Sequence, residues 1–167
     1  SDVYKRQEGI MTNKSIKTSL ARYLSMQALY QSLESGQNLE EVLDEYNELH
    51  VRNISLDFNN SYKKLKLQAD KTYFKKLINT SSREKKLIQS LIENNLKDSW
   101  VIDRLPKVIQ AIIKVAVAEM IESPKLSLAI IASEYVILTE SFFSKTESSF
   151  VNALIQNIYN QLNSAKL

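Results

Sequence analysis

The sequence contains no cysteine and, in 167 residues, only two glycines, two prolines and one histidine. The absence of cysteine excludes a disulfide framework, a thiolate zinc site and a thiol nucleophile. The single histidine, His50, excludes histidine clusters as catalytic or metal centres. Glycine and proline are the strongest interrupters of helices, so their scarcity favours long helices joined by short connections.

Long apolar runs are also absent from the chain. No segment approaches the roughly 20 consecutive apolar residues that a bilayer-spanning helix needs. The first ten residues show no helical periodicity and lack the apolar core of a secretory signal peptide. We therefore expect a cytoplasmic protein with no membrane partner. Residues 1–10 are predicted to be a non-native or disordered tail, and residues 11–167 to form one helical domain.

Apolar residues make up 44% of the chain, which is enough to build a core. They recur at helical spacing in seven segments, namely 15–34, 38–49, 73–78, 81–96, 106–121, 127–143 and 146–162. The fifth segment is apolar almost all round, which predicts a central, buried helix. Its β-branched residues make a buried strand the alternative, but a length of about 16 residues argues against a strand. We predict an all-α fold, a compact bundle of about seven helices in two packed halves, with a long loop over 50–68.

Cap residues mark several of these helix ends. Gly36 follows the first segment and predicts its C-terminal stop. Asn38 can cap the second helix, and Ser127 can cap the sixth. Ser81 and Glu84 have the spacing of a capping box, which predicts that the fourth helix starts there.

The positive charge is unevenly distributed on a chain whose net charge is only +3. Between Met11 and Leu33 the charged residues are Lys14, Lys17 and Arg22, with no acid. Residues 63–86 carry nine bases against two acids. Such segments indicate local surfaces that face anions. For the segment 63–86, a merely solvated helix face is an equal alternative.

No motif for enzymatic chemistry is present, because the chain lacks a glycine-rich phosphate loop, a paired-histidine spacing and a serine elbow. We therefore expect no enzyme activity and no cofactor. Glu119 and Glu122 have the i, i+3 spacing of a di-metal helix, but without histidine we interpret them as solvated surface. Glu134 lies within an apolar run, so it needs a partner. We expect that partner to be Arg104 or a helix N-terminus.

The predicted fifth helix carries one polar stripe, which consists of Lys107, Gln110 and Lys114. Residues seven apart in a helix point in nearly the same direction. If this stripe lies beside the first helix, Lys114 extends the basic surface of that helix. Lysines there could neutralise phosphates, while Tyr30 could stack on an unpaired base. A place in the core is the alternative for Tyr30.

Several segments, in their order and spacing, resemble the NusB family of transcription antitermination factors. The segments are Ala28–Gln31, Asp70–Leu77, Trp100–Leu105 with its continuation Ile112–Met120, Ser133–Val136 with Phe142–Phe143, and Phe150–Leu154. The resemblance implies that residues 11–167 form a NusB-like helical RNA-binding domain. It also implies that the protein pairs with NusE, a ribosomal protein of the small subunit. The pair would bind the single-stranded boxA element of nascent ribosomal RNA and help build an antitermination complex on RNA polymerase.

The family's two surfaces can be carried over by position. The resemblance implies an RNA surface that comprises Lys14, Lys17, Arg22, Gln27, Tyr30 and Lys114. It implies a partner surface on the last helices that comprises Glu147, Phe150 and Asn152. We expect a monomer that forms a one-to-one complex with NusE.

Two alternatives remain open at this point. The first helix has fewer arginines than the family's, which is compatible with an adaptor that binds proteins and has weak or no RNA binding. The same fold also precedes some ribosomal RNA cytosine methyltransferases, so the chain could be a detached accessory domain. No strand–helix alternation or glycine-rich cofactor loop follows the helices, which favours the stand-alone factor.

Overall fold

The computed structural model of the chain describes residues 12–46, 69–97 and 100–164. These residues form seven α-helices and no strand: α1 (Asn13–Ser35), α2 (Leu39–Glu45), α3 (Lys71–Arg83), α4 (Lys85–Asn95), α5 (Lys107–Glu122), α6 (Leu128–Glu140) and α7 (Lys145–Ser164). A single 3₁₀ turn, Ile102–Arg104, precedes α5. The all-α prediction is confirmed. The predicted tail 1–10 and loop 50–68 lie outside the described residues.

The ends of three helices follow from their cap residues, as predicted. Gly36 ends α1 in the left-handed region at φ 76°, and its amide donates to the carbonyl of Ser32. Only glycine enters that region without a steric penalty. Asn38 caps α2 by accepting from the amide of Glu41 at 2.9 Å, and Ser127 caps α6 through the amide of Ile130.

The predicted capping box at Ser81 and Glu84 is wrong. Helix α3 runs through Ser81 to Arg83, and α4 begins at Lys85 without a side-chain cap. The hydroxyl of Ser81 donates back to the carbonyl of Leu77 at 2.7 Å. Because Ser81 is buried, tertiary packing overrides the local capping signal here.

Helix α5 is the centre of the bundle, as its apolar sequence predicts. It contacts α1, α3, α4, α6 and α7, and 11 of its 16 residues are buried. Gln110 is buried despite its amide, which donates to the carbonyl of Leu105 at 2.8 Å. In the part of the chain that the structure describes, no helix is long and apolar enough to cross a membrane.

Candidate nucleic-acid and protein interfaces

The start of α1 presents two of the predicted RNA-binding side chains. Lys14 and Lys17 are both exposed. The backbone carbonyl of Lys17 accepts from the amide of Asp70 at 3.0 Å, which fixes the start of α1 beside the start of α3. Lys71, the first residue of α3, is exposed as well. One end of the molecule therefore carries three exposed lysines on two helices that a backbone hydrogen bond joins.

Arg22, the third cation of α1, is buried and not exposed like the lysines. Its Nε lies 2.8 Å from Oε1 of Glu119, and its second guanidinium nitrogen lies 2.8 Å from Oε2 of the same carboxylate. A further guanidinium nitrogen lies 3.3 Å from Glu134. Burial lowers the pKa of the Arg22 guanidinium, but the hydrogen bonds and charge of Glu119 outweigh burial and raise the pKa above its usual range. The guanidinium therefore stays charged and is held by two carboxylates inside the bundle.

Glu119 is fully buried, so the interpretation of Glu119 as solvated surface is wrong. Its carboxylate accepts from Arg22, from the hydroxyl of Tyr135 at 2.7 Å and from the hydroxyl of Tyr73. Burial, followed by the charge of Glu119, raises the pKa of both tyrosines above their ordinary value. Four donors from three other helices therefore converge on one carboxylate. Glu122, in contrast, is partly exposed and accepts from Thr80 at 2.7 Å.

Glu134 also has partners that differ from those expected. Its carboxylate accepts from the hydroxyl of Ser19 at 3.0 Å and pairs with Arg22, whereas Arg104 is exposed. The expectation of Arg104 as partner is therefore wrong, although Glu134 does have a structural partner. We use the name buried charge cluster for Arg22, Glu119, Glu134 and the two tyrosines that contact Glu119. The cluster joins α1, α3, α5 and α6.

The outward side of α1 holds two more predicted RNA-binding residues. The ring of Tyr30 is 37% exposed, so a place in the core does not apply. Gln27 is partly exposed, and its amide donates to the hydroxyl of Tyr23 at 2.6 Å. One turn beyond Tyr30, Glu34 pairs with Lys107 of α5 at 3.5 Å. This side of the helix therefore offers a ring and an amide, and Lys107 next to it is paired with an acid.

Lys114 lies on a different side of α1 from Tyr30. It is partly buried in a groove that Leu29 and Leu33 of α1 also line. Successive helical residues are about 100° apart, so Tyr30 points about 110° away from the mean direction of the α1 residues in that groove. The structure does not bring Lys114 and Tyr30 together. The predicted polar stripe of α5 is also interrupted, because Gln110 between the two lysines is buried.

The predicted partner-binding residues lie in the first half of α7. Phe150 is 36% exposed and Asn152 is partly exposed. The carboxylate of Glu147 accepts from the backbone amide of Ser144 at 3.1 Å and from its hydroxyl, so it caps the start of α7. The hydrogen bond from Ser144 lowers the pKa of Glu147.

Two apolar side chains that the sequence analysis missed accompany Phe150. Ile137, in the last turn of α6, is 46% exposed, and Phe142, in the turn before α7, is 48% exposed. Phe143, next to Phe142, packs against the core instead. The only signal in the sequence is that Phe142 and Phe143 are adjacent. Adjacent side chains point in different directions, so both cannot face the core. Large apolar side chains exposed on two adjacent helices and the turn between them can form an interaction surface.

The comparisons with known proteins identify the family. The chain matches the NusB family over residues 19–160. It is 31% identical to the transcription antitermination protein NusB of Sinorhizobium fredii and 32% identical to that of Rhizobium rhizogenes. Each similarity covers 142 residues, which is 85% of this chain and 85% of the relative. The chain belongs to the NusB family. It is a transcription antitermination protein and not an enzyme.

Solved NusB structures have the same fold. One is the crystal structure of antitermination factors NusB and NusE in complex with dsRNA, with a TM-score of 0.68 and 26% identity over 87% of this chain and 97% of that chain. Another is the solution structure of NusB from Aquifex aeolicus, with a TM-score of 0.67 and 26% identity over 90% and 93% of the two chains. The NusB fold therefore extends over nearly all of the described residues.

Proposed function

We propose that the chain acts with a NusE-like ribosomal protein to bind the boxA element of nascent ribosomal RNA, and so helps to assemble an antitermination complex on RNA polymerase. The observation that supports this best is the similarity to a chain in the structure of NusB and NusE with dsRNA. That similarity covers 97% of the neighbour. The relatives named as antitermination proteins, of which this chain covers 85%, support the stand-alone factor over a methyltransferase accessory domain.

The proposed RNA surface begins at the exposed lysines on the starts of α1 and α3. Lys14, Lys17 and Lys71 can neutralise phosphates, which position a strand without reading its sequence. Further along α1, about 140–160° around the helix from Lys17 and Lys14, the exposed ring of Tyr30 can stack on an unpaired base, and the amide of Gln27 can bind a base edge. A strand that contacts both places would cross over the helix. Arg22 is left out of the direct contacts because its guanidinium is held by Glu119 and Glu134. It supports the surface by fixing the direction of α1.

The proposed partner surface lies on the hairpin of α6 and α7. Ile137, Phe142 and Phe150 expose apolar area there, and buried aromatic anchors supply much of the binding energy at protein interfaces. Asn152, which is partly exposed on the same helix, is a further proposed contact. Glu147 acts mainly as the cap that fixes the start of α7, which holds Phe150 in place. We expect one copy of the chain to bind one copy of NusE.

Fluorescence anisotropy with a labelled boxA RNA tests this function. The RNA is titrated with the chain alone, with NusE alone and with both, and a scrambled RNA of the same composition is the control. We expect the pair to bind boxA more tightly than either protein does, and more tightly than it binds the scrambled RNA. Equal binding of the two RNAs by the pair would contradict boxA recognition.

The protein-only adaptor is the second candidate, and the outward side of α1 favours it. Tyr23, Gln27 and Tyr30 line that side without a cation of their own, and the only arginine of α1 is buried. Isothermal titration calorimetry with NusE separates the two functions. An adaptor would bind NusE with the same affinity whether or not boxA RNA is present, whereas an RNA-binding pair would show mutual enhancement.

A further inference from the structure

A groove of about 430 Å³ runs between α1, the α1–α2 connection, the start of α4 and the middle of α5. This volume lies within the range of small-ligand sites. Its lining includes four apolar residues, Leu29, Leu33, Leu39 and Ile88, and two lysines, Lys85 and Lys114. The four apolar residues among them belong to α1, α2 and α4. Hydroxyl and amide side chains make up most of the remainder.

The charges of the groove all have one sign. Lys85 of α4 and Lys114 of α5 are its two charged lining residues, and no acid is among the described residues that line it. Lys114 is partly buried, and burial, followed by repulsion from Lys85, lowers its pKa. Asp103 attracts Lys114 and partly opposes this effect, but it does not line the groove. A partly buried ammonium group that is repelled by a second, exposed one favours a bound anion.

A neighbouring hollow limits where that anion can lie. The hollow shares Leu39 and Ser82 with the groove, and it contains Glu40 and Arg83. The opposite charges of Glu40 and Arg83 balance, so that end attracts a phosphate less than the two lysines do. The end formed by Lys85 and Lys114 is therefore the one that suits an anion, while the apolar side chains between the two ends suit a ring.

We propose that this groove binds a nucleotide of single-stranded RNA, with the phosphate between Lys85 and Lys114 and the base against Leu29, Leu33 and Ile88. The inference rests on the proposed RNA-binding function. It adds a second contact region, because the groove lies about 110° around α1 from Tyr30. RNA is favoured over an acidic peptide because the groove combines two lysines with four apolar side chains. A nucleotide combines one charge with one flat apolar face, whereas an acidic side chain has no such face.

The test compares two neighbouring lysines that differ in one respect. Lys85 lines the groove, whereas Lys86 is also exposed but does not line it. The variants Lys85→Gln and Lys86→Gln change the net charge by the same amount, so long-range effects cancel. Each full-length variant, with saturating NusE, is titrated with a labelled boxA RNA that carries eight additional uridines at both ends, over a series of salt concentrations.

We expect Lys85→Gln to weaken binding and to reduce the salt slope by about 0.7, which corresponds to about fivefold in affinity per tenfold change in salt for one phosphate contact. Lys86→Gln should change neither quantity by that amount. In wild type, the backbone amides of Leu33, Gly36 and Ser82 should shift on addition of RNA in NMR spectra, and Lys85→Gln should remove these shifts.

The outcomes separate this inference from the proposed function. If wild type prefers boxA and both variants bind RNA with the wild-type affinity and salt slope, the inference about the groove is overturned and the proposed function stands. If only Lys85→Gln loses RNA affinity, and wild type does not prefer boxA over the scrambled RNA, the groove is supported and boxA recognition is overturned. Absence of RNA binding by wild type would overturn both. Tighter binding of a polyglutamate peptide than of RNA, lost in Lys85→Gln alone, would overturn RNA as the occupant.

Discussion

Helix α1 carries two kinds of cation in opposite surroundings. Lys14 and Lys17 project into solvent at its start, whereas Arg22 lies between two carboxylates inside the bundle. The difference depends on what the neighbouring helices offer, because Glu119 of α5 and Glu134 of α6 reach Arg22 and not the lysines. The lysines are therefore free to bind anions, whereas Arg22 fixes the geometry of the helix that carries them. Changes on the two sides should affect different measurements.

The largest effect should come from breaking the buried charge cluster at its cation. Arg22→Ala leaves two buried carboxylates without their counter-charge, and removal of one partner of a buried ion pair costs about 3–5 kcal/mol. We expect the free energy of unfolding, measured with urea, to fall by that amount. Lys17→Ala is the control and should stay within about 0.5 kcal/mol of wild type. A similar small loss in Arg22→Ala would show that the cluster contributes little to stability.

Two tyrosines allow the same comparison between the buried and the exposed side of α1. Tyr135 contributes its hydroxyl to the buried charge cluster, whereas Tyr30 exposes its ring. Tyr135→Phe removes a donor from the buried carboxylate of Glu119, which should cost about 1.5–3 kcal/mol of unfolding free energy, as for hydrogen bonds to charged groups. Tyr30→Phe has no such partner to lose among the described contacts and should unfold like wild type. Equal stabilities of Tyr135→Phe and Tyr30→Phe in urea titrations would contradict this difference.

RNA-binding measurements should distinguish the contribution of the Tyr30 ring from that of its hydroxyl. Tyr30→Ala should weaken boxA binding by about 1–3 kcal/mol, the usual value of one base stacked on an aromatic side chain. Tyr30→Phe keeps the ring and should bind RNA like wild type. Anisotropy titrations in the presence of NusE measure both variants. If Tyr30→Phe were as weak as Tyr30→Ala, the hydroxyl and not the ring would be the contact.

The exposed lysines should affect binding and leave stability unchanged. The double variant Lys14→Gln, Lys17→Gln should reduce the salt slope of RNA binding by about 1.4, that is, about 0.7 for each lost phosphate contact. Its unfolding free energy should match that of wild type within about 0.5 kcal/mol. Lys125→Gln, at an exposed site after α5, is a charge-matched control. An equal change of slope in this control would assign the effect to net charge.

The smallest effect concerns Glu147, a partly exposed residue whose pKa the hydrogen bond from Ser144 lowers. A group with a lowered folded-state pKa stabilises the fold above its unfolded pKa, and this contribution is lost as the pH falls through the folded value. NMR titration should therefore give Glu147 a pKa below that of an ordinary glutamate. Ser144→Ala should move the pKa upwards. An unchanged pKa in Ser144→Ala would show that the hydroxyl of Ser144 does not donate to Glu147 in solution.

The sequence predicts well those features that depend on neighbours along the chain. The all-round apolar pattern of α5 predicts its central place, and Gly36 and Asn38 predict their helix ends, because each depends on a few adjacent residues. The partnership of Arg22 with Glu119 joins residues 97 positions apart, and helical periodicity carries no information about it. A cation near the start of a basic helix therefore resembles a surface residue until the fold is known. The exposure of Phe142 is hidden in the same way, because its neighbour Phe143 takes the buried position.

The hydrogen bond between the carbonyl of Lys17 and the amide of Asp70 uses backbone atoms only, and so it persists whichever side chain occupies position 17. Together with Arg22, it anchors the start of α1 without help from the exposed lysines. Substitution can therefore add or remove positive charge there without disturbing the architecture. Anion affinity at the start of α1 can therefore change during evolution without a change in folding. Relatives with more or fewer cations at the positions of Lys14 and Lys17 can keep the same fold.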